Sequence, residues 1–450
     1  MAETLARALA EWSAAVRWAD LGDDHRAAAR GWLLDTLGVM LAAVDEPPGR
    51  AILAVARRQG GRPESSLLAN GDRLPAASAA LVHGTLAHAL DYDDTLPGPV
   101  VHPGSVVVPA ALAAGEAAGA DGAAVLAAIA IGYEWVARLG AAAGRHLHAR
   151  GFHATGVVGP LAAAAVAGRL HGLPPARLAE AVGLAGSMAG GLLEFLADGS
   201  WSKRLHPGWA AHGGLLAAEL AAAGFPGPAS VLEGRYGLYA AFVAGEPGAD
   251  PAAATRDLGR AWLSRAVVTK LYPCAHVIHP FLDAVLALRA REGLAAADVA
   301  AVRCRVAAWQ LPIVCEPRAA KLAPATEYQA RASLPFALAA ALADGRVDLD
   351  TFTPAALARP DLRALAARVA CEPAPAGGAE FAGEVEVQTR DGRRCAGEAR
   401  AAPPAPARVE AKFRAAAGRR LPPDRVAGIM RAVAGFDAGT PAALLALCRG

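Results

Sequence analysis

Residues 299–309 read VAAVRCRVAAW, and in them Val302, Cys304 and Val306 alternate with Arg303 and Arg305. A period of two places the two sets of side chains on opposite faces of an extended chain, so the stretch predicts a half-buried β-strand. EVEVQTRDGRRCAGEA, at 384–399, alternates in the same way, and its Asp391-Gly392 is a hairpin turn signal. One helix is predicted between them, over about Ala330–Ala343. The region from roughly 270 to 400 therefore reads as a small α+β unit.

Upstream the texture is different. Residues 1–265 are a succession of Ala/Leu-rich segments such as Asp121–Gly140 and Gly159–Leu170, each punctuated by Gly or Pro. Alanine has the highest helix propensity and lets helices approach closely, so an all-α bundle is expected. Downstream, AAPPAPAR at 401–408 reads as a Pro-rich linker, and VEAKFRAAAG and PDRVAGIMRAVAGF return to helix. The predicted division is 1–268 helical, 269–402 α+β, and 403–450 closing helices that rejoin the first part. No repeat of the 20–50-residue kind interrupts this plan.

Composition narrows the function classes. Of 450 residues, 54% are hydrophobic and 19% charged, which argues against disorder. The 44 basic and 42 acidic residues leave a net charge of +2, with no footprint for nucleic acid or an anionic membrane. Thr95–Gly115 is the longest stretch without Asp, Glu, Lys or Arg, but it carries His102 and four prolines. Gly122–Tyr133 is too short for a bilayer, which takes about 20 residues. The N-terminus mixes charged and apolar residues at helical spacing and lacks a secretory apolar core. A soluble, cytoplasmic protein is expected. Six scattered cysteines with no Cys-x-x-Cys pair predict neither a disulfide framework nor a zinc site.

Ionisable chemistry concentrates in four places. In HALDYDDTLPGPVVHPGS (88–105), a helix over Leu81–Leu90 sets His88 and Asp91 one turn apart at its C-terminal end. Asp93, Asp94 and Thr95 follow in the turn, and a Pro/Gly loop delivers His102. Neighbouring carboxylates and imidazoles shift one another's pKa, which suits acid/base work, although Asp and Thr also serve simply as caps. RGFHATGVVGPL sets His153 and Thr155 before a helix whose N-terminus favours an anion. DGSWSKRLHPGWAAHGG groups Lys203, Arg204 and His206 between Trp201 and Trp209, a combination suited to carboxylates, with His212 beyond. TKLYPCAHVIHPFLDA holds Lys270, Tyr272, Cys274, His276 and His279 at the predicted domain junction. No dinucleotide fingerprint, P-loop or His-Glu-x-x-His is present.

Taken in series, HALDYDDT…HPGS, GFHATGVVGPLAAAA, GSWSKRLHPGWAAHGG and KLYPCAHVIHP, with VEAKF near the end, resemble the ordered blocks of the MmgE/PrpD superfamily. Its activities include 2-methylcitrate dehydratase, cis-aconitate decarboxylase and iminodisuccinate epimerase. The resemblance implies a mainly α protein with a large all-helical domain, a smaller α+β lid domain, a homodimer, and no metal or organic cofactor. It carries the catalytic positions of the decarboxylase branch onto Asp91, Thr95, His102, His153 and Lys203. The branch's tyrosine falls in ARASLPFALAA, where this chain has Phe336, and His83 stands where the family usually has Asn.

All these activities make or trap a carbanion next to a carboxylate. On this reading Lys203, supported by Arg204 or Lys270, pairs with substrate carboxylates, and His206, His276 and His279 complete the binding set. His102 and His153 act as base and acid, Asp91 orients a histidine, and Thr95 bonds a substrate oxygen. The substrate class is a small di- or tricarboxylate. Dehydration of a 2-methylcitrate-like hydroxy acid ranks first as the family's commonest assignment, epimerisation second and decarboxylation third. Outside the class stand a metal-dependent hydrolase built on His83, His88, Asp91 and His102, and a catalytically silent paralogue.

Overall fold

The protein was analysed as a computed structural model, which describes residues 4–375 and 381–450. The chain folds into two compact units. The first takes the residues up to Phe195, Trp201–Thr269 and Pro404–Gly450; the second takes Leu196–Ser200 and Lys270–Pro403.

Six long helices build most of the first unit: α1 (Asp23–Ala43), α2 (Ala76–His88), α3 (Gly104–Ala117), α4 (Gly122–Ala143), α5 (Ala154–Leu170) and α6 (Ser202–Ala222). They pack through small residues, as the alanine content predicts. α6 lies against α5 and α2, and α2 against α3. Where α2 crosses α6, a Cβ added to Gly84 would stand 2.6 Å from the Gly208 Cα, so the two backbones touch directly. Any side chain there would force the helices apart.

α4 corrects one sequence expectation. It runs on from Gly122 past Tyr133 to Ala143, with Asp121 as its N-cap accepting from the Ala124 N–H at 2.8 Å. At 22 residues it is long and apolar enough to cross a membrane, yet 89% of its most apolar window is buried inside the protein. Its Glu134 and Arg138 pair internally at 2.7 Å. Glu134 also accepts from the Leu263 and Ser264 N–H groups, and Arg138 donates to the Arg256 and Ala261 carbonyls. α4 is thus the core helix around which 254–264 wraps.

The second unit contains α7 (His279–Glu292), α8 (Leu334–Asp344) and a four-stranded sheet. Its strands are β1 (Val299–Val306), β2 (Val369–Pro373), β3 (Ala382–Thr389) and β4 (Arg394–Arg400), in the order β2-β1-β3-β4. β1 and β2 are parallel and the remaining pairs antiparallel. Val302, Cys304 and Val306 are buried and Arg303 and Arg305 exposed, the alternation legible in the sequence. The predicted Ala330–Ala343 helix starts later, at Leu334. Ser333 caps it by accepting from the Phe336 N–H at 3.1 Å, which ends the short Glu327–Arg331 helix before it. Phe336 is fully buried and packs near Phe352, ring centroids 6.3 Å apart.

The chain returns to the first unit through α9 (Pro406–Ala417), whose opening proline shortens the predicted linker. α9 packs on α1, where Lys412 and Asp35 form a buried pair at 2.6 Å.

Candidate active site

α2 ends at His88, two residues before the Leu90 end expected from sequence. Asp91 then adopts a left-handed backbone (φ 53°), and Val100 does the same (φ 54°) at the far end of the following loop. A β-branched residue in that region is strained, and such strain persists only where the surroundings over-determine the backbone. The surroundings here do. Thr95 and Val268 exchange both backbone hydrogen bonds (2.9 and 2.8 Å), and the Leu96 N–H donates to Val101 at 2.8 Å. The Gly104 N–H donates to Asp94 Oδ1 at 2.9 Å, and the His102 N–H to Thr155 Oγ1 at 3.1 Å. Tyr133 reaches Asp94 Oδ2 at 2.5 Å, and Lys412 Nζ donates to the Tyr92 carbonyl at 2.6 Å. Burial pushes the Asp94 carboxyl up to about 7 against the pull of the Tyr133 and Gly104 bonds.

This loop delivers His102 to a buried cluster with His88 and His153. Ring centroids are 4.9 Å apart for His88–His102, 5.4 Å for His88–His153 and 6.0 Å for His102–His153. Each imidazole is held by its Nδ1. His88 donates to Asp93 Oδ2 at 2.7 Å, and His102 to the Asp94 carbonyl at 2.8 Å, with Thr95 Oγ1 at 3.2 Å from the same nitrogen. The His153 and His206 Nδ1 atoms share a hydrogen bond at 3.1 Å. His153 is the N-cap residue of α5 and its own N–H donates to Gly191. Burial, and then the nearby cations, hold His153 well below the ordinary histidine range and His206 at about 4. Burial also lowers His88, against the opposing pull of Asp93. These three imidazoles are neutral near pH 7.

Lys203 and Arg204 lie in the first turn of α6, both buried. A helix N-terminus repels cations, so a buried ammonium there needs an anion. Lys203 Nζ has one, 3.0 Å from Asp91 Oδ1. The Arg204 guanidinium lies 5.5 Å over the Trp201 ring. The crossing of α2 and α6 at Gly84 and Gly208 brings the ends of these two helices together.

Asp91, Thr95, His102, His153, Lys203 and His206 thus lie in the first unit around one centre, and Arg204 belongs to the same unit, in the first turn of α6 against Trp201. Lys270, His276 and His279 belong to the second. There the His276 and His279 rings meet edge to face at 4.8 Å, and Tyr272 packs on His279 at 5.1 Å while donating to Asp283 at 2.7 Å. Asp93 Oδ2 accepts from His88, and Asp91 Oδ1 pairs with Lys203. The buried Thr95 hydroxyl faces His102. His83 stands apart from the cluster, its Nε2 accepting from the Leu68 N–H at 3.1 Å; the third imidazole is His153. Sequence reasoning gave no role to Asp93, Tyr133 or Lys412. Asp93 was visible in the aspartate run and Lys412 in VEAKF, but the Lys412 partners Tyr92 and Asp35 lie more than 300 residues away in sequence.

The MmgE/PrpD N-terminal domain pattern matches residues 7–249, and the C-terminal domain pattern residues 272–437. The chain belongs to the MmgE/PrpD family. Within the family it is 28% identical over 364 residues to the cis-aconitate decarboxylase-like protein oryM of Aspergillus oryzae, covering 78% of this chain and 75% of that protein. It is 32% identical over 232 residues to the cis-aconitate decarboxylase of Aspergillus terreus (49% and 47% covered). To the human cis-aconitate decarboxylase it is 31% identical over 325 residues (67% and 63%). The match thus spans about half of the Aspergillus terreus enzyme and under two thirds of the human one. These MmgE/PrpD relatives are lyases by name. They favour the decarboxylase, placed third on sequence, over the 2-methylcitrate dehydratase placed first.

Proposed function

We propose that the protein is a cofactor-independent carboxy-lyase acting on a small unsaturated tricarboxylate of the cis-aconitate type. The observation that carries this reading is the Asp91–Lys203 pair standing beside buried, neutral imidazoles, in a chain whose relatives are named cis-aconitate decarboxylases.

The chemistry follows from the charges. Lys203, with Arg204 in the same turn, pairs with substrate carboxylates and leaves Asp91 to hold the ammonium in place. The added negative charge of the bound substrate raises the pKa of the nearby imidazoles, so that one of them takes up a proton. The leaving carboxylate sits on the saturated carbon beside the double bond. Its C–C bond breaks, CO2 departs, and the electron pair forms a new double bond. The old double bond's electrons move to the carbon next to a second carboxylate, which takes the proton from a histidinium, His102 or His153. Each turnover consumes one proton and releases one CO2. Placing cation and imidazoles before the substrate arrives removes reorganisation from the barrier.

Phe336 lies in the core of the second unit and supplies no hydroxyl, so the proton in this reading comes from histidine alone. The homodimer belongs to the same proposal. It is supported by an exposed apolar stripe at helical spacing, Trp201, Leu205, Trp209 and Leu216, along α6, and light scattering on the purified protein tests it.

Proton NMR in D2O with cis-aconitate, 2-methylcitrate and iminodisuccinate tests the reaction. CO2 release with one deuterium entering next to a carboxylate supports decarboxylation. Loss of water from 2-methylcitrate with no CO2 release replaces it with the dehydratase.

A further inference from the structure

The three imidazoles of the site share a feature that proton transfer alone does not require. Each is fixed through Nδ1, by a carboxylate (Asp93 on His88), a backbone carbonyl (Asp94 on His102) or another imidazole (His206 on His153). The Nδ1–H tautomer that the first two bonds enforce puts the ring lone pair on Nε2. His88 Nε2 and His153 Nε2 are buried and have no hydrogen-bond partner. One ring nitrogen from each of His88, His102 and His153 lies within 4.8 Å of the other two.

We propose that His88, His102 and His153 form a binding site for a divalent transition metal of the zinc class, and that its occupancy switches the enzyme off. Metal-bound histidines typically carry their second ring nitrogen on a carboxylate or a backbone carbonyl, which is the arrangement of His88 and His102. Three imidazole nitrogens with an open fourth position suit zinc, cobalt and nickel and offer little to magnesium or calcium. Zn–N bonds of about 2.0–2.1 Å set tetrahedral ligand nitrogens roughly 3.3 Å apart, so the rings close in by at most about 1.5 Å. Such a movement is a small rotation of side chains already in contact.

Lys203 opposes the metal, because a dication beside its ammonium is repelled. The site therefore takes zinc reversibly and gives it up to chelator. The inhibitory half of the proposal rests on the acid/base reading above: an imidazole whose lone pair is on a metal cannot carry the substrate's proton. The binding half does not depend on that reading.

Full-length protein treated with EDTA and then freed of it is titrated with Co2+, whose visible absorption reports a low-coordinate nitrogen site, and Zn2+ is added to displace it. One equivalent is expected to saturate the band, with loss of the band in H88Q and in H153Q and its retention in H276Q. K203M, folded by circular dichroism, is expected to bind Co2+ at least tenfold more tightly. In the same samples CO2 release from cis-aconitate should fall in proportion to occupancy and recover with EDTA. Absence of a saturable band, or a band that survives in H88Q and H153Q, overturns the site. Activity that rises with metal overturns the inhibitory role. A His88-dependent site in a protein that turns over no carboxylate keeps the site and removes the proposed function. Turnover without any cobalt site does the reverse.

Discussion

The protein carries two histidine groups, and they are built differently. His88, His102 and His153 in the first unit are held through Nδ1 by oxygen or nitrogen partners, beside an Asp91–Lys203 pair and a loop strained at Asp91 and Val100. His276 and His279 in the second unit sit where a 3-10 turn (His276–Ile278) meets α7, and they contact each other, Tyr272 and Phe381 through ring faces and edges. Backbone strain and opposed charges mark the first group, whereas aromatic packing marks the second. Residue type alone does not distinguish the two groups; what surrounds each ring does.

The largest effect should come from the ion pair. K203M removes the cation that receives the substrate and leaves Asp91 buried without it, and kcat/KM for CO2 release should fall at least about 10³-fold. A fall under tenfold would erase the contrast between the two groups. H153Q should lose about 10²–10⁴-fold in kcat, measured in the same assay. G84A pushes a methyl into Gly208 and Ser105 and should cost about 1–3 kcal/mol in urea unfolding, with a raised KM because the helix ends that carry His88 and Lys203 separate.

His83 gives a pH test away from the cluster. Burial lowers its pKa from 6.5 to about 4, so the unfolded chain takes up a proton below pH 6.5 that the native state refuses until about pH 4. Stability should therefore decline as pH falls through that window, by about 1.4 kcal/mol per pH unit from this group. H83N, whose side-chain carbonyl can still accept from Leu68, should flatten the decline by that amount. The smallest effect is G428A. It is half-buried in the Pro423–Ala434 helix with nothing within 4 Å of an added Cβ, and it should stabilise by about 0.5–1 kcal/mol, the opposite sign to G84A.

Much of the fold was legible because the two halves of the chain obey different periods. The alternation of β1, β3 and β4 and the alanine-rich helices could be read locally. β2 could not: VACEP is five residues without a period, and it is a strand because β1 offers a parallel partner 67 residues earlier in register (Val302 with Val369). In the site, the blocks stood out because ionisable residues are scarce in this chain, but the pairings did not. Asp91 and Asp93 are two residues apart and take different partners, since the left-handed turn at Asp91 re-aims everything after it. His83 was grouped with His88, yet five helical residues at about 100° each put their side chains about 140° apart. His153, closed onto His88 from another helix, was the missing third member.

The contact of α2 with α6 at Gly84 and Gly208 has a mechanical meaning for the site. His88 lies four residues from that contact and Lys203 five, so the two lever arms are about 6 and 7.5 Å long. A rocking of about 10° about the contact would shift either group by only about 1 Å, whatever happens at the distant helix ends. Short arms on a shared fulcrum let the rest of an alanine-rich bundle breathe while the proton-carrying groups stay aligned.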